Sequence, residues 1–165
     1  MRHIWLIGMM GTGKTTVAAL VATLLGRPVV DTDAIVMEST GRTIPELFAE
    51  SEMAFRDAER MAIASFAAAP ASVVATGGGA VLDDRNVILM KELGTLVLLT
   101  AGIDEILERL DVAGGARPLF TDAEALVRID AERRERYFEV ADVIVDTSDK
   151  EPNQVAEEVV ACVST

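Results

Sequence analysis

A chain of 165 residues, half of them apolar, has the length and the hydrophobic content of one globular domain. Its formal net charge of -12 argues against a nucleic-acid-binding protein, because such proteins need a basic face that neutralises phosphates. The single cysteine, Cys162, excludes an intrachain disulfide, and we expect it to be a small buried apolar residue.

The first strand is predicted near residues 3–8, where an apolar run is interrupted by glycines and Lys14 before it reaches the length of a signal peptide or a membrane span. We therefore expect a cytoplasmic protein that binds no membrane. His3 opens this run and is the only histidine of the chain. We expect His3 to be structural rather than catalytic.

Short apolar runs alternate with longer amphipathic runs along the rest of the chain, and this alternation is typical of a parallel sheet with helices on both faces. The spacing "TIPE" at residues 43–46 predicts one more short helix that opens with a capping box and ends near residue 51. We therefore predict a single α/β domain with a five-stranded parallel sheet. Further strands are predicted near 28–31, 72–76, 95–100 and 142–146, and helices near 14–26, 32–41, 52–68, 84–93, 102–110, 123–139 and 151–163.

The stretch "GMMGTGKT", residues 8–15, matches the phosphate-loop pattern G-x-x-x-x-G-K-[ST] between a predicted strand and a predicted helix. We expect its backbone N–H groups to cradle phosphates, Lys14 to neutralise them, and the Thr15 hydroxyl to bind Mg²⁺. We expect Thr16 to lie nearer the α-phosphate. The predicted phosphate-binding residues are Gly11, Thr12, Gly13, Lys14, Thr15 and Thr16.

Two carboxylates, Asp31 and Asp33, follow the second predicted strand. They are therefore expected at the carboxyl edge of the sheet, where ligands bind in open α/β folds. Such a pair suits contacts to a metal and to a hydroxyl, and Asp31 is the metal candidate. One of the two can instead be the N-cap of the next helix.

The helical stretch "EMAFRDAER" carries Arg56 and Arg60 one turn apart among acidic residues. We expect Glu52, Asp57 and Glu59 to form solvated ion pairs with these arginines. Arg60 is interpreted as a surface residue. For Arg56, a surface pair and a position turned toward the cleft both remain open.

Three consecutive glycines occupy residues 77–79 in "VVATGGGAVLDD". They favour either a tight turn between strand and helix or a place where another group approaches the main chain closely. A second irregular stretch, residues 111–124, contains two glycines and a proline. We interpret this stretch as a functional or mobile surface loop.

Taken together, these stretches resemble the shikimate kinases, which are P-loop kinases of the nucleoside-monophosphate-kinase type. The resemblance covers nearly the whole chain and includes "GMMGTGKT", "DTD" at 31–33, "TGRTIPELF" at 40–48, "FR" at 55–56, "GGGAV" at 77–81, "RPL" at 117–119 and "VDT" at 145–147. It implies a three-layer P-loop fold in one domain, residues 1–165. Within that domain it implies an acid-binding region near 32–60 and a mobile lid near 111–124.

The resemblance also implies roles for individual side chains. It implies that Asp33 bonds the reacting hydroxyl, that Arg56 and Arg133 hold the carboxylate of the acid, and that Arg117 belongs to the lid over the phosphates. Lys14, Asp33 and Arg117 are then the catalytic residues. In this family the glycine cluster touches the acid, which implies that Gly77, Gly78 and Gly79 turn their N–H groups toward its hydroxyls.

Two assignments stay open at this point. The family usually has a proline and a leucine before the tyrosine of this region, whereas here the stretch is "RRERY", residues 133–137. Arg133 has the matching interval for the second carboxylate arginine, and Arg134 and Arg136 compete with it. Arg109 and the segment after residue 146 are candidates for the adenine site.

The expected activity is ATP-dependent phosphorylation of the 3-hydroxyl of shikimate, with Mg²⁺ bridging the phosphates of ATP. One alternative is a P-loop kinase for another small polyol acid such as gluconate. A second alternative is a nucleotide-binding module without catalytic activity. We expect a monomer whose partners are small-molecule substrates and not nucleic acids.

Overall fold

The computed structural model describes residues 2–112 and 123–164, which form a three-layer α/β fold around a five-stranded sheet. The strand order is β2-β3-β1-β4-β5, and every neighbouring pair is parallel. This arrangement confirms the predicted fold class. The strands are β1 His3–Ile7, β2 Val29–Asp31, β3 Val73–Ala75, β4 Gly94–Thr100 and β5 Val143–Asp146.

Eight α-helices of the described chain connect and cover these strands, and their positions follow the predicted ones closely. They are α1 Lys14–Leu25, α2 Thr32–Thr40, α3 Ile44–Glu50, α4 Glu52–Ser65, α5 Asp84–Leu93, α6 Ile103–Val112, α7 Ala123–Val140 and α8 Pro152–Val163. Two short 3-10 helices, Phe66–Ala68 and Ala80–Leu82, flank β3. The predicted capping box opens α3, where the Thr43 side chain accepts from the Glu46 N–H and the Glu46 carboxylate accepts from the Thr43 N–H.

The central strands β1, β3 and β4 are buried on both faces, which explains why they are apolar without strict alternation, whereas the edge strands β2 and β5 are partly exposed. Successive side chains of β1 pack into the two hydrophobic cores on opposite faces of the sheet. Trp5 and Ile7 pack under α4, α5 and α7, whereas Ile4 and Leu6 pack against α1 and α8. Because all strands run in parallel, β1, β2 and β3 end at the same edge, and the phosphate loop, the acidic pair and the glycine cluster meet there.

His3 is the first residue of β1, at the opposite end of the strand from the phosphate loop, and its contacts are structural, as predicted. The Ser72 N–H donates to Nδ1 of His3 over 3.1 Å, and Nε2 of His3 lies 3.2 Å from the Phe66 carbonyl oxygen. The imidazole is 5% exposed and packs edge-on against Phe66, which also packs edge-on against the fully buried Trp5.

Three expectations need correction or fall outside the described chain. Cys162 is exposed, not buried, because the buried positions of α8 end at Val159, one turn before it. The predicted loop 111–124 is too long at both ends, since α6 continues to Val112 and α7 begins at Ala123. Arg117, expected in the lid, lies outside the described residues. No helix in the described ranges is both long and apolar enough to cross a membrane.

Candidate active site

The phosphate loop, residues 8–15, joins β1 to α1 and depends on its glycines in two ways. Gly8, Gly11 and Gly13 have φ values of 134°, 76° and 89°, a region that favours glycine. A methyl group built on Gly8 would lie 2.4 Å from the Leu99 carbonyl oxygen, and one on Gly11 would lie 2.9 Å from Ile106 Cγ2. The loop therefore keeps both its shape and its close packing only with glycine at these positions.

Lys14 and Thr15 open α1 at the end of this loop. The Lys14 ammonium donates to the carbonyl oxygens of Gly8 and Met9, each at 2.8 Å, so its charge lies across the mouth of the loop. The Thr15 hydroxyl donates to Asp31 Oδ2 over 3.1 Å and links α1 to the end of β2. Thr12 uses its own hydroxyl within the loop, donating to Met9 O.

The two carboxylates after β2 have different positions. Asp31 is the N-cap of α2, because its Oδ1 accepts from the Asp33 N–H at 2.9 Å. Asp33 lies in the first turn of α2 and points its Oδ1 toward Gly77, where a built methyl group would lie 2.9 Å from that oxygen. The capping role that the sequence left open therefore belongs to Asp31.

The Thr15 hydroxyl and the Asp31 carboxylate are oxygen donors of the kind that Mg²⁺ prefers. They are already in contact, so one ion could meet both. In the described part of the chain, no group of three or more histidine, cysteine or acidic side chains could hold a metal by itself. An ion at this position would thus depend on phosphate and water oxygens, which is typical of magnesium in nucleotide sites.

A cavity of about 470 Å³ extends from the phosphate loop to the glycine cluster. At the end of the cavity away from these glycines, the Arg109 guanidinium donates to the hydroxyl and carbonyl oxygens of Thr147, at 2.9 and 3.0 Å, and pairs with Glu105. The residues lining the cavity include residues 10–17 of the loop and α1, together with Asp31, Asp33, Thr76, Gly77, Gly78, Arg109, Leu110, Thr147, Lys150, Pro152 and Val155.

The three glycines at residues 77–79, which we call the glycine segment, lie where site side chains approach the backbone. A methyl group built on Gly79 would lie 2.4 Å from both terminal nitrogens of Arg56. A methyl group on Gly78 would lie 3.6 Å from Tyr137 Oη and 3.7 Å from Arg133 Nη1. None of the three has a left-handed φ. Close approach therefore explains Gly77 and Gly79, whereas a methyl group on Gly78 would meet only ordinary van der Waals contacts.

Hydrogen bonds fix the backbone of the glycine segment. The Gly77 N–H donates to Thr32 Oγ1 over 3.0 Å, and the Gly77 carbonyl accepts from the Ala80 N–H at 3.1 Å. The Tyr137 hydroxyl donates to the Gly78 carbonyl over 2.5 Å. The expectation that all three glycine N–H groups face a ligand is therefore wrong for Gly77, because Thr32 occupies that donor.

Arg56 turns toward the cleft and pairs with a buried acid. Its Nη1 donates to Glu59 Oε2 over 2.8 Å, and Glu59 is fully buried. Burial raises the pKa of the Glu59 carboxyl, and the neighbouring Arg56 partly opposes this rise. The prediction of a solvated Glu59 is wrong, since the face of α4 that carries it packs toward the glycine segment. Arg60 pairs with Asp57 near the surface, as predicted.

The three competing arginines of α7 point to different places. Arg133 lies beside Gly78, and its positive charge partly opposes the rise in the pKa of Tyr137. Arg134 pairs with Asp130 at 3.4 Å and its side chain is 58% exposed. Arg136 donates from Nε to the Val81 carbonyl over 3.0 Å, beyond the glycine segment. Of these three, Arg133 is the one whose guanidinium lies against the glycine segment.

Two buried hydroxyl residues of this region, Thr32 and Tyr137, were not singled out from the sequence. Burial raises the pKa of the Tyr137 phenol to about 12, with Arg133 partly opposing the rise, so the phenol keeps its proton near neutral pH. Thr32 is fully buried. Only the "DTD" spacing and the tyrosine of "RRERY" could have indicated them, and neither reveals a partner 45 or 59 residues away.

Comparisons of the sequence and of the fold with known proteins point to one family. A family model described as shikimate kinase matches residues 10–164. The shikimate kinase of Moorella thermoacetica is 43% identical over 163 residues, covering 95% of this chain and 91% of that protein. A solved structure of shikimate kinase from Acinetobacter baumannii in complex with shikimate has a TM-score of 0.92 at 32% identity, covering 99% of this chain and 93% of that chain.

A gluconokinase structure from Sinorhizobium meliloti gives a useful contrast. Its TM-score is 0.65 at 19% identity, covering 99% of this chain and 91% of that chain. At this level of identity the likeness shows a common fold and nothing about the acceptor.

Proposed function

This chain belongs to the shikimate kinase family and phosphorylates shikimate with ATP, and we propose that the residues around its cavity carry out the transfer to the 3-hydroxyl. One observation supports the proposal above the others. Arg56 and Arg133 lie against the glycine segment, and Asp33 lies between that segment and the phosphate loop. A group that can orient a hydroxyl and a site for phosphates thus line one cavity, and the two arginines that suit a carboxylate lie beside its glycine end.

On the nucleotide side, the loop N–H groups and Lys14 bind the phosphates of ATP and offset their negative charge. Thr15 and Asp31 would hold Mg²⁺, which supplies further positive charge next to the phosphates when it is bound. Arg109 and Lys150 border the other end of the cavity and lie near the adenosine part of the nucleotide. Thr16 lies near the α-phosphate, and the family resemblance gives Arg117, which lies outside the described residues, the role of adding charge at the phosphates.

On the acid side, Arg56 and Arg133 hold the carboxylate of shikimate. Arginine suits this task because its planar fork can donate two parallel hydrogen bonds to one carboxylate. The Gly78 and Gly79 N–H groups make no hydrogen bond within the described residues, so they can donate to the acid. Gly77 keeps the backbone clear of Asp33 and Glu59, and contacts the ring without its own N–H.

Asp33 orients the 3-hydroxyl for attack on the γ-phosphorus. As the new O–P bond forms and the bond between phosphorus and the β-γ bridging oxygen of ATP breaks, the Asp33 carboxylate accepts the hydroxyl proton. The negative charge that leaves with ADP lies next to Lys14. Positioning and electrostatics therefore supply most of the catalysis, as in phosphoryl transfer generally.

The acceptor is tested by measuring ADP release with shikimate, quinate and gluconate under identical conditions. We expect rapid release with shikimate and much slower release with the other two acids, because the site is built for a ring that carries a carboxylate. Faster turnover with gluconate would favour the alternative polyol-acid kinase. ATP turnover that is independent of any acid would favour a nucleotide-binding module instead.

Replacing Arg56 with lysine tests the carboxylate site. The lysine keeps the charge but loses the two-pronged geometry, and we expect the KM for shikimate to rise roughly tenfold or more. The KM for ATP should stay nearly constant. The matched control is Arg60→Lys, one turn along the same helix, where the arginine pairs with Asp57. If both changes have an equally small effect on the KM for shikimate, Arg56 serves only as a structural partner of Glu59.

Replacing Gly79 with alanine tests the close approach of Arg56 to the glycine segment. The added methyl group would lie 2.4 Å from the guanidinium nitrogens, so the flexible end of Arg56 must move while the backbone can stay. We expect shikimate affinity to fall about tenfold and ATP affinity to be retained. Gly102→Ala is the control, because a methyl group there meets no atom within 4 Å. Unchanged shikimate binding in a folded Gly79→Ala variant would mean that the segment is only a turn.

A further inference from the structure

The backbone of the glycine segment is held by two side chains from distant parts of the chain. Thr32, at the first position of α2, accepts the Gly77 N–H, and Tyr137 of α7 donates to the Gly78 carbonyl. Both side chains are buried, Thr32 at 0% and Tyr137 at 2% exposure. Their hydroxyls are therefore fixed donors and acceptors that do not exchange freely with water.

Because the peptide bond is planar, the hydrogen bonds made by the carbonyls of this segment also fix the directions of the Gly78 and Gly79 N–H groups. In a trans peptide the C=O and the next N–H point in opposite directions. Because the Gly77 carbonyl is directed toward the Ala80 N–H, the Gly78 N–H must point away from Ala80. Because the Gly78 carbonyl is directed toward Tyr137, the Gly79 N–H must point away from Tyr137.

The Tyr137 hydroxyl has one proton, and its geometry shows where that proton goes. The Gly78 carbonyl oxygen lies 2.5 Å from Oη, whereas the Met9 sulfur lies 3.7 Å from it. The carbonyl is both the closer and the stronger acceptor. Met9 therefore acts mainly as a packing partner, which places Tyr137 between the phosphate loop and the glycine segment.

We propose that Thr32 and Tyr137 are positioning residues for the acid substrate: the Tyr137 hydroxyl orients the peptide that carries the Gly79 N–H, and the Thr32 hydroxyl anchors the start of the segment at Gly77, so that the Gly78 and Gly79 N–H groups face the acid. The inference rests on the proposed function of this segment in binding shikimate. Neither hydroxyl needs to touch the acid. Their contribution is that the two donors are already aligned when the acid arrives, so little conformational entropy is lost on binding.

Tyr137→Phe removes one hydroxyl and leaves the ring in place. We expect the dissociation constant for shikimate, measured by calorimetry with a non-hydrolysable ATP analogue present, to rise about fivefold to tenfold. The KM for ATP should change by less than about twofold. A purely structural role would lower the melting temperature without this selective loss of acid affinity.

Thr32 is tested with a pair of substitutions. Thr32→Val removes the hydroxyl that accepts from the Gly77 N–H, at nearly constant volume, and should weaken shikimate binding. Thr32→Ser keeps a hydroxyl at this position and should bind shikimate as tightly as the wild type. Ser72→Ala is the matched control, since it removes another hydroxyl of a buried residue, one that donates to the Pro70 carbonyl over 2.7 Å at the opposite end of β3. It should affect stability alone.

The outcomes separate this inference from the function on which it rests. If the wild-type protein neither binds nor phosphorylates shikimate, the proposed function fails. If the wild-type protein does both, and Tyr137→Phe and Thr32→Val bind shikimate as tightly as Ser72→Ala does, the positioning role fails. Should Thr32→Val be unfolded, the Tyr137→Phe variant decides the matter, because it removes one of the two hydroxyls and leaves the buried ring in place.

Discussion

Replacing Lys14 with alanine is expected to lower kcat by about 10³-fold, because the variant loses the one lysine charge at the mouth of the phosphate loop. In the structure the Lys14 ammonium donates to the carbonyls of Gly8 and Met9, so it lies where the phosphates of ATP would be held. The measurement is ADP release at saturating ATP and shikimate. The loop loses the two hydrogen bonds of the ammonium, but the fold should persist because neither hydrophobic core contains Lys14.

Lys91→Ala is the control for Lys14. Lys91 forms a partly exposed ion pair with Asp142, far from the phosphate loop, and its loss should leave kcat nearly unchanged. Circular dichroism of both variants separates a catalytic defect from unfolding. A folded Lys14→Ala enzyme with turnover close to the wild type would remove Lys14 from the catalytic group.

Asp33→Asn is the second substitution expected to have a large effect, with kcat falling by about 10²-fold or more. The amide is nearly isosteric but carries no negative charge, so it orients the acceptor hydroxyl poorly and cannot take its proton. ATP affinity should persist, because Asp31 and Thr15, which lie nearer the phosphate loop, are unchanged. The structure strengthens this test, since Asp31 caps α2 and a loss of capping cannot explain an effect at Asp33.

Asp57→Asn provides the comparison, as it neutralises a carboxylate that pairs with Arg60 near the surface of the same region. Its kcat should stay within about twofold of the wild-type value. If Asp33→Asn and Asp57→Asn have equally mild effects at saturating substrates, the reaction does not need a carboxylate at residue 33. Transfer would then depend on phosphate and metal contacts alone.

The sequence predicts the sheet and the phosphate loop well because both are local patterns. Apolar runs of strand length, a glycine-rich turn and a capping box each act over a few residues, and the structure places them close to their predicted bounds. The family resemblance also predicts roles for Asp33 and Arg56, and these roles stay predictions, although the structure places both side chains against the glycine segment. The arrangement of these two side chains depends on contacts between residues far apart in the sequence, and the periodicity of apolar residues does not predict such contacts.

The errors have a common physical origin in tertiary packing. Glu59 has the spacing of a surface ion pair with Arg56, yet the face of α4 that carries both turns inward, so Glu59 is buried and Arg56 is partly buried. Cys162 looks like a core residue by type, but it lies beyond the last buried position of α8. The interval of "RRERY" favours Arg133, and in the structure packing against the glycine segment separates it from Arg134 and Arg136.

Trp5, the only tryptophan of the chain, gives the protein a built-in optical reporter. Its indole is fully buried in the core against Phe66, and its N–H makes no hydrogen bond within the described residues. Emission from this dry environment should be blue-shifted and should move to the red only when the core opens to water. The indole lies in the core on β1, outside the phosphate loop that follows this strand, so substitutions in the site should leave its surroundings in the folded state unchanged. Denaturation curves recorded by tryptophan fluorescence can therefore compare the stabilities of the variants without a label.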